Sequence, residues 1–346
     1  MSIDPVLKPR IESIPPVSER ALQLFRKNLV WDNCLPWLRD CNTPEADIIL
    51  PRYHSAGVNF ISLTVAASRF DDNAVTAQIA LTNRIVREQS DFLVVANSTQ
   101  DIRKAQSAGK LALGFNFQET LPFGTNLDNV QLFYDLGVRQ AVLAYNNRNF
   151  VGDGCAEPDN GGLSLFGRAL VKEMNRVGML VDGSHSGHRT TMEAIDLCDG
   201  PFVFSHSNPF GVRPHYRSIK DDQIKACAAT GGVIGINGVG YWVGDNDAST
   251  EAIFRCLDYT VELVGAKHVG LGFDYVYDLD GLIEWVRASP LVWPAFEGEW
   301  MVKHNYAGPE QMVELVQLML DHGYPEEAII GILGTNFERV ANNVWK

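Results

Sequence analysis

The 346-residue chain has no basic surplus, no long apolar run and no cysteine framework, and each absence excludes a class of function. Lys and Arg number 29 against 42 Asp and Glu, a formal net charge of −13. Nucleic acid and anionic membranes both demand a basic footprint, so neither is expected as a partner. Acidity of this kind more commonly keeps a protein in solution. No apolar stretch approaches the ~20 residues needed to span a bilayer. Residues 1–20 are polar and broken by prolines and acidic groups, so they do not read as a secretory signal. The six cysteines, Cys34, Cys41, Cys155, Cys198, Cys227 and Cys256, are scattered without a CxxC pair. That pattern suits reduced thiols and a cytoplasmic location rather than a disulfide scaffold. Low-complexity segments and internal repeats are also missing.

What is there is a core of ordinary size and a βα rhythm. Hydrophobic residues make up 46% of the chain and charged residues 21%, as in an average globular protein. Short aliphatic runs at 29–34, 58–65, 111–117, 140–145, 179–185, 202–206, 232–237 and 268–274 alternate with helical patterns. Their near-continuous apolar character predicts parallel strands buried on both faces. A ninth run, 92–96, reads as an extra strand beside them. Helical spacing covers 74–88, 127–135, 165–177, 221–229, 250–264 and 310–322. Ser164 is a plausible cap for one of these helices, and Gly137, Gly178, Gly231 and Gly265 fall where helices end. The expectation is an α/β fold, a (β/α)8 barrel of TIM type, as one domain over 1–346. A short N-terminal extension (about 1–25) precedes it, and an aromatic-rich segment (about 276–308) follows the last strand.

The polar residues that end the runs carry the functional signal. Asp32 and Cys34 close the first run, Gln118 and Glu119 the third, Tyr145 the fourth, His185 the fifth, His206 the sixth and Asp274 the eighth. In a closed parallel barrel these ends meet on one face, where active sites are built. Buried polar groups cost roughly 2–7 kcal/mol when unpaired, so they need one another or a ligand. Asp32 and Cys34, two apart on a strand, point to the same side. The glycine run 231–238 lacks the GxGxxG spacing of a nucleotide loop, and Gly183-Ser-His-Ser-Gly187 places His185 where a nucleophile elbow needs serine. His188 reads as a helix-start surface residue, whereas His215 and Tyr216 border the pocket. His54, His268, His304 and His322 read as structural or solvated. Trp285, Trp293, Phe296, Trp300 and Tyr306 could cover the site or form a subunit interface, the interface being favoured, which makes a homodimer possible.

These stretches resemble the membrane (renal) dipeptidase family, zinc peptidases on an amidohydrolase-like barrel, in its bacterial branch. The resemblance is carried by Leu35-Pro36-Trp37, Gly161-Gly-Leu-Ser-Leu-Phe-Gly167, Leu180-Val-Asp-Gly-Ser-His185, Phe204-Ser-His-Ser-Asn-Pro209, Gly270-Leu-Gly-Phe-Asp274 and Gly334-Thr-Asn-Phe-Glu-Arg-Val340, in order along about nine-tenths of the chain. It implies a metal-dependent hydrolase acting on a dipeptide or related small amide. It implies zinc on His185 and His206, a proton-transferring Asp274 and a carboxylate-binding Arg217. Tyr145 and Asn208 would also face the substrate. Three positions depart from the family pattern. The first-strand His-x-Asp is Asp32-x-Cys34, the bridging glutamate is Gln118 with Glu119 beside it, and Tyr145 replaces a histidine. One firmly held ion is therefore expected, and a second would depend on Cys34. The alternatives are a barrel enzyme with one metal or none acting on another small carboxylate, and a catalytically silent binding protein.

Overall fold

The computed structural model describes residues 16–36, 45–67, 72–289, 292–293 and 305–346. Nine strands lie in these residues: β1 Trp31–Leu35, β2 Phe60–Ala66, β3 Leu93–Val95, β4 Leu111–Phe117, β5 Val138–Val142, β6 Leu180–Asp182, β7 Val203–Phe204, β8 Val233–Ile236 and β9 Val269–Leu271. All pairings between named strands are parallel, and β1 pairs with both β2 and β9 while β2 also pairs with β4. The order β2-β1-β9-β8-β7-β6-β5-β4 thus returns to β2 and closes an eight-stranded barrel. The ninth strand, β3, lies beside the start of β4, Leu93 opposite Leu111, as the extra strand expected from the sequence.

The eight barrel strands are buried along their length, because helices coat the outside while side chains fill the inside. The helix Leu165–Val177 begins at Ser164, whose hydroxyl accepts from the Gly167 amide, and ends at Gly178 with φ 95°. The expected helices 221–229 and 250–264 appear as Asp221–Ala229 and Thr250–Val264. Helices at Glu45–Ala56, Thr99–Ser107, Leu279–Arg287 and Asn336–Val344 have no counterpart among the sequence expectations, whereas His188–Ile195 begins at the residue expected to start a helix. Nor is the N-terminal stretch wholly an extension, because the helix Glu19–Lys27 buries Ala21, Leu24 and Phe25. Among the described residues, no helix is long and apolar enough to cross a membrane.

The floor of the barrel is aromatic. Trp31, Phe60 and Phe337 form one buried cluster, and the Trp31 and Phe60 rings lie 4.0 Å apart between centroids. A side chain at Gly270 would meet the Phe337 ring at 2.5 Å, so glycine there admits the plug. Asn336 donates to the carbonyls of Ala266 and Val269 at 2.7 and 2.8 Å. The terminal Gly-Thr-Asn-Phe motif is thereby a closure of the barrel bottom, remote from chemistry.

Candidate active site at the barrel mouth

The strand ladders end sooner than the apolar runs do. β5, β6, β7 and β9 stop at Val142, Asp182, Phe204 and Leu271, so Tyr145, His185, His206 and Asp274 all follow their strands. His185 and Asp274 have φ of 63° and 56°, left-handed backbone that a strand cannot contain. Such conformations cost on the order of 1–3 kcal/mol each and persist only where surroundings enforce them. Here the enforcing bonds are visible. The Asp274 amide donates to the Cys34 carbonyl at 3.0 Å, and the Cys155 amide to the His185 carbonyl at 2.7 Å.

His185 and His206 meet with their Nε2 atoms 3.0 Å apart. The Nδ1 of His185 donates to Asn146 Oδ1 at 2.8 Å, and the amide of Asn146 is oriented by its donation to the Val292 carbonyl at 3.2 Å. That leaves His185 Nε2 as a bare lone pair. His206 Nδ1 lies 2.6 Å from the Ser205 hydroxyl, which can donate or accept. A proton on His206 Nε2 therefore satisfies the pair without a cation. Moving that proton to Nδ1, against Ser205 as acceptor, bares both Nε2 atoms. Burial pushes both histidines well below their usual pKa, with the Arg217 charge adding to it, so neutral imidazole is the resting form.

Cys34 and Asp274 complete the cluster. Cys34, a nitrogen of His206 and a carboxylate oxygen of Asp274 offer ligand atoms within 4.8 Å of one another. Cys34 Sγ lies 3.5 Å from Asp274 Oδ1 and receives the Gln118 amide N–H at 3.2 Å. Gln118 also donates to Thr64 Oγ1 at 3.1 Å, so its amide nitrogen faces the cluster. Asn237 Nδ2 donates to Asp274 Oδ2 at 3.0 Å. Burial raises the Asp274 pKa to about 6, partly countered by Arg217. The His206 imidazole, a thiol and a carboxylate form a donor set that suits a divalent ion of the zinc type, and the His185 imidazole adjoins it through His206.

Three sequence candidates stand elsewhere. Asp32 spends both oxygens inside the protein, accepting from the amides of Phe273 and Cys34 at 2.8 and 3.3 Å and from the Tyr53 hydroxyl at 3.1 Å. The Glu119 carboxylate is turned onto the amides of Thr120 and Tyr145, at 2.9 and 3.1 Å, and onto the Asn149 side chain. Asn208 is consumed by Asn237, donating to its carbonyl and accepting its amide, each at 3.1 Å.

Arg217 is buried beside the histidines. It donates from Nη1 to Ser207 Oγ at 3.1 Å and from Nη2 to the His206 carbonyl at 2.8 Å. Its buried Nε–H has no partner among the described residues. The Tyr145 ring stacks on His185 with centroids 4.0 Å apart, and the Trp293 ring stands edge-on to Tyr145 at 5.7 Å. Trp285 and Trp293 also touch each other, centroids 5.6 Å apart. Within the described residues, Trp285 and Trp293 of the aromatic segment lie over the Tyr145 ring. Phe296 and Trp300 lie outside the described residues. His188 opens its helix, 2.8 Å from Asp222.

The family model described as Membrane dipeptidase (Peptidase family M19) matches residues 30–287. The chain belongs to this family. It is 30% identical over 277 residues to the dipeptidase aclJ of Aspergillus oryzae, covering 77% of this chain and 60% of that protein. The dipeptidase tcpJ of Claviceps purpurea is 28% identical and is spanned over 59% of its length, so the chain spans about three-fifths of these relatives. An amidohydrolase from Pseudomonas aeruginosa superposes with a TM-score of 0.85 at 28% identity, covering 94% of this chain and 99% of that one.

Within the dipeptidase family pattern, sequence reasoning missed the residues that aim the others: Asn146 behind His185, Asn237 behind Asp274 and Asp182 behind both histidine segments. Asp182 Oδ1 accepts the amides of Ser184 and Ser205 at 2.9 and 3.1 Å, the residues just before His185 and His206. The motif Leu180-Val-Asp-Gly-Ser-His185 contained that signal, read only for its histidine.

Proposed function

We propose that the chain is a metal-dependent hydrolase of the dipeptidase type, holding one zinc ion and cleaving a dipeptide or closely related small amide. The observation that carries this reading is the cluster of Cys34, His206 and Asp274, with His185 Nε2 3.0 Å from His206 Nε2, beside an arginine with a spare buried donor. A metallopeptidase from Rhodobacter sphaeroides, 21% identical with a TM-score of 0.76, is liganded with a phosphinate mimic of the dipeptide L-Ala-D-Ala, which agrees with a dipeptide as the substrate class. The unpaired cysteines Cys34, Cys155, Cys198, Cys227 and Cys256 fit work in a reducing compartment, the cytoplasm.

When bound at His185 and His206, zinc supplies Lewis acidity toward the scissile carbonyl and toward a water molecule. Asp274, half-buried and held by Asn237, accepts the proton of the attacking water and returns it to the leaving amine. A carboxyl whose pKa sits at about 6 is suited to both halves of that transfer near neutrality. Arg217 clamps the substrate carboxylate, with Nε–H and the free N–H of a terminal nitrogen forming the fork. Tyr145, stacked on His185 and covered by Trp293, donates a hydrogen bond from its hydroxyl to the developing oxyanion. The aromatic cover excludes water and strengthens each of these interactions.

The test is Arg217→Met together with a substrate series. A charge-assisted bond to the carboxylate contributes about 1.5–3 kcal/mol, so kcat/KM on the free acid falls tenfold to a hundredfold, about tenfold per 1.4 kcal/mol. The C-terminal amide is a poor substrate of the wild type and loses little further in the variant. Equal turnover of acid and amide by the wild type refutes the clamp. A wild type that takes up no metal and cleaves no dipeptide supports the silent-binder alternative.

A further inference from the structure

We propose that Cys34 is the third protein ligand of the ion held by His185 and His206, which makes this a single nitrogen–nitrogen–sulfur site with its fourth position facing Asp274. The inference rests on the hydrolase reading and names the ligand set of its one site.

The cysteines of this chain are not equivalent. Cys227 and Cys256 belong to the apolar core, and Cys227 gives its S–H to the Phe202 carbonyl at 3.2 Å. Cys34 is as deeply buried, 1% exposed, yet it stands outside both apolar clusters. Its sulfur is ringed by an amide N–H from Gln118, the Asp274 carboxylate and the His206 ring. A small inert thiol in a core gains from apolar neighbours, and this one has polar neighbours instead. The other acidic candidates do not compete for the ion, since Asp32 and Glu119 have spent their oxygens on backbone amides and neighbouring side chains.

Charge also points to one ion. A coordinated thiol is deprotonated outright, its proton leaving to solvent as the metal–sulfur bond forms. The thiolate and the Asp274 carboxylate then carry two negative charges against one divalent cation, with two neutral imidazoles. A second cation beside the first would lack a bridging anion, because the Gln118 side chain turns an N–H donor toward the sulfur where the two ions would need to share one. Two divalent cations a few Å apart repel strongly when no anion lies between them. Three protein ligands with an open fourth position is the arrangement of catalytic zinc sites, in which the open position holds water or substrate. Asp274, 3.5 Å from the sulfur, is then placed beside the water it deprotonates.

The experiment strips the protein with a chelator and titrates it with cobalt(II) alone, followed by absorption. Wild type is expected to bind one cobalt per chain with visible d–d bands and a near-ultraviolet thiolate-to-cobalt charge-transfer band. Cys155→Ser keeps that band. Cys34→Ser loses it and binds cobalt more weakly by at least the ~10–100-fold that outer-shell partners are worth. Cys34→Ala, checked for wild-type circular dichroism, behaves alike and separates loss of the ligand from misfolding. One cobalt bound with d–d bands but no charge-transfer band overturns the sulfur ligand and leaves the hydrolase reading standing. A band that survives Cys34→Ser, or two ions bound equally tightly, does the same. No cobalt bound by the wild type overturns the hydrolase reading and the ligand together.

Discussion

Asp182→Asn is the substitution on which the architecture beneath the site makes its sharpest claim. Under the histidines runs a directed chain of buried hydrogen bonds. Trp31 Nε1 donates to Asn33 Oδ1 at 2.9 Å, Asn33 Nδ2 to Gln140 Oε1 at 3.1 Å, and Gln140 Nε2 to Asp182 Oδ2 at 2.9 Å. The indole N–H can only donate, so the direction of the chain is set at Trp31 and ends on a group that must only accept. Asparagine can keep one oxygen on the amides of Ser184 and Ser205, but its NH2 then faces the NH2 of Gln140. Flipping Gln140 and Asn33 merely moves the collision to Trp31. A buried donor left without an acceptor costs about 1–3 kcal/mol, and two are left, so the loss is about 2–6 kcal/mol. At about 2.1 cal/mol/K per residue the unfolding entropy of this chain is about 0.7 kcal/mol/K, which converts the loss to a fall in Tm of about 3–8 °C by calorimetry. Because Asp182 ties down the backbone just before both histidines, metal affinity falls too, by about 10–100-fold. The control is the Trp31→Phe background. There the chain can reverse without a donor collision, and Asp182→Asn costs about 1–3 kcal/mol less. An equal fall in Tm in both backgrounds would refute the directed network.

Asp274→Asn keeps the fold and the metal but loses about 10²–10⁴-fold in kcat, the usual worth of general acid–base work; wild-type turnover in this variant removes Asp274 from proton transfer. A different measurement bears on the loop that follows Tyr145. Arg148 Nε donates to Asp153 Oδ1 at 2.6 Å and its Nη2 to Oδ2 at 3.2 Å. This pairing, foremost among the causes, holds the Asp153 carboxyl below its usual pKa of 3.8. The stabilisation is therefore present above pH ~4, where the unfolded carboxyl is ionised, and is lost as pH falls through the lower folded value. Thermal melts of wild type and Asp153→Asn should differ most near neutrality and converge below pH ~4, and a gap that stays constant with pH contradicts the ion pair.

How far the molecule could be read from its sequence depended on whether a feature repeats or is made once. The barrel repeats one physical pattern eight times, an apolar run buried on both faces followed by an amphipathic helix, so its order was legible, and even the extra strand β3 stood out as a run. The ends of the strands were not legible, since an apolar run continues past its last ladder bond. Only the left-handed backbone at His185 and Asp274 shows that the chain has already turned there. The cluster itself was visible as polar residues at the ends of apolar runs, because such groups are too costly to bury without partners. Which of two adjacent polar residues faces inward was not visible. Gln118 and Glu119 differ by one position, and the choice is made by backbone amides of Thr120 and Tyr145 that claim the glutamate. The same competition removes Asp32, whose Oδ1 is claimed by amides at the ends of β1 and β9 and whose Oδ2 is claimed by the Tyr53 hydroxyl. A carboxylate beside a strand end is pulled both by a cation in the mouth and by the unpaired N–H groups that every finished ladder leaves behind. Cys34 has no such pull on it, since a sulfur is a weak acceptor for amides. At this mouth the carboxylates of Asp32 and Glu119 hold backbone amides, whereas the Cys34 sulfur is met by side chains, the Gln118 amide and the Asp274 carboxylate.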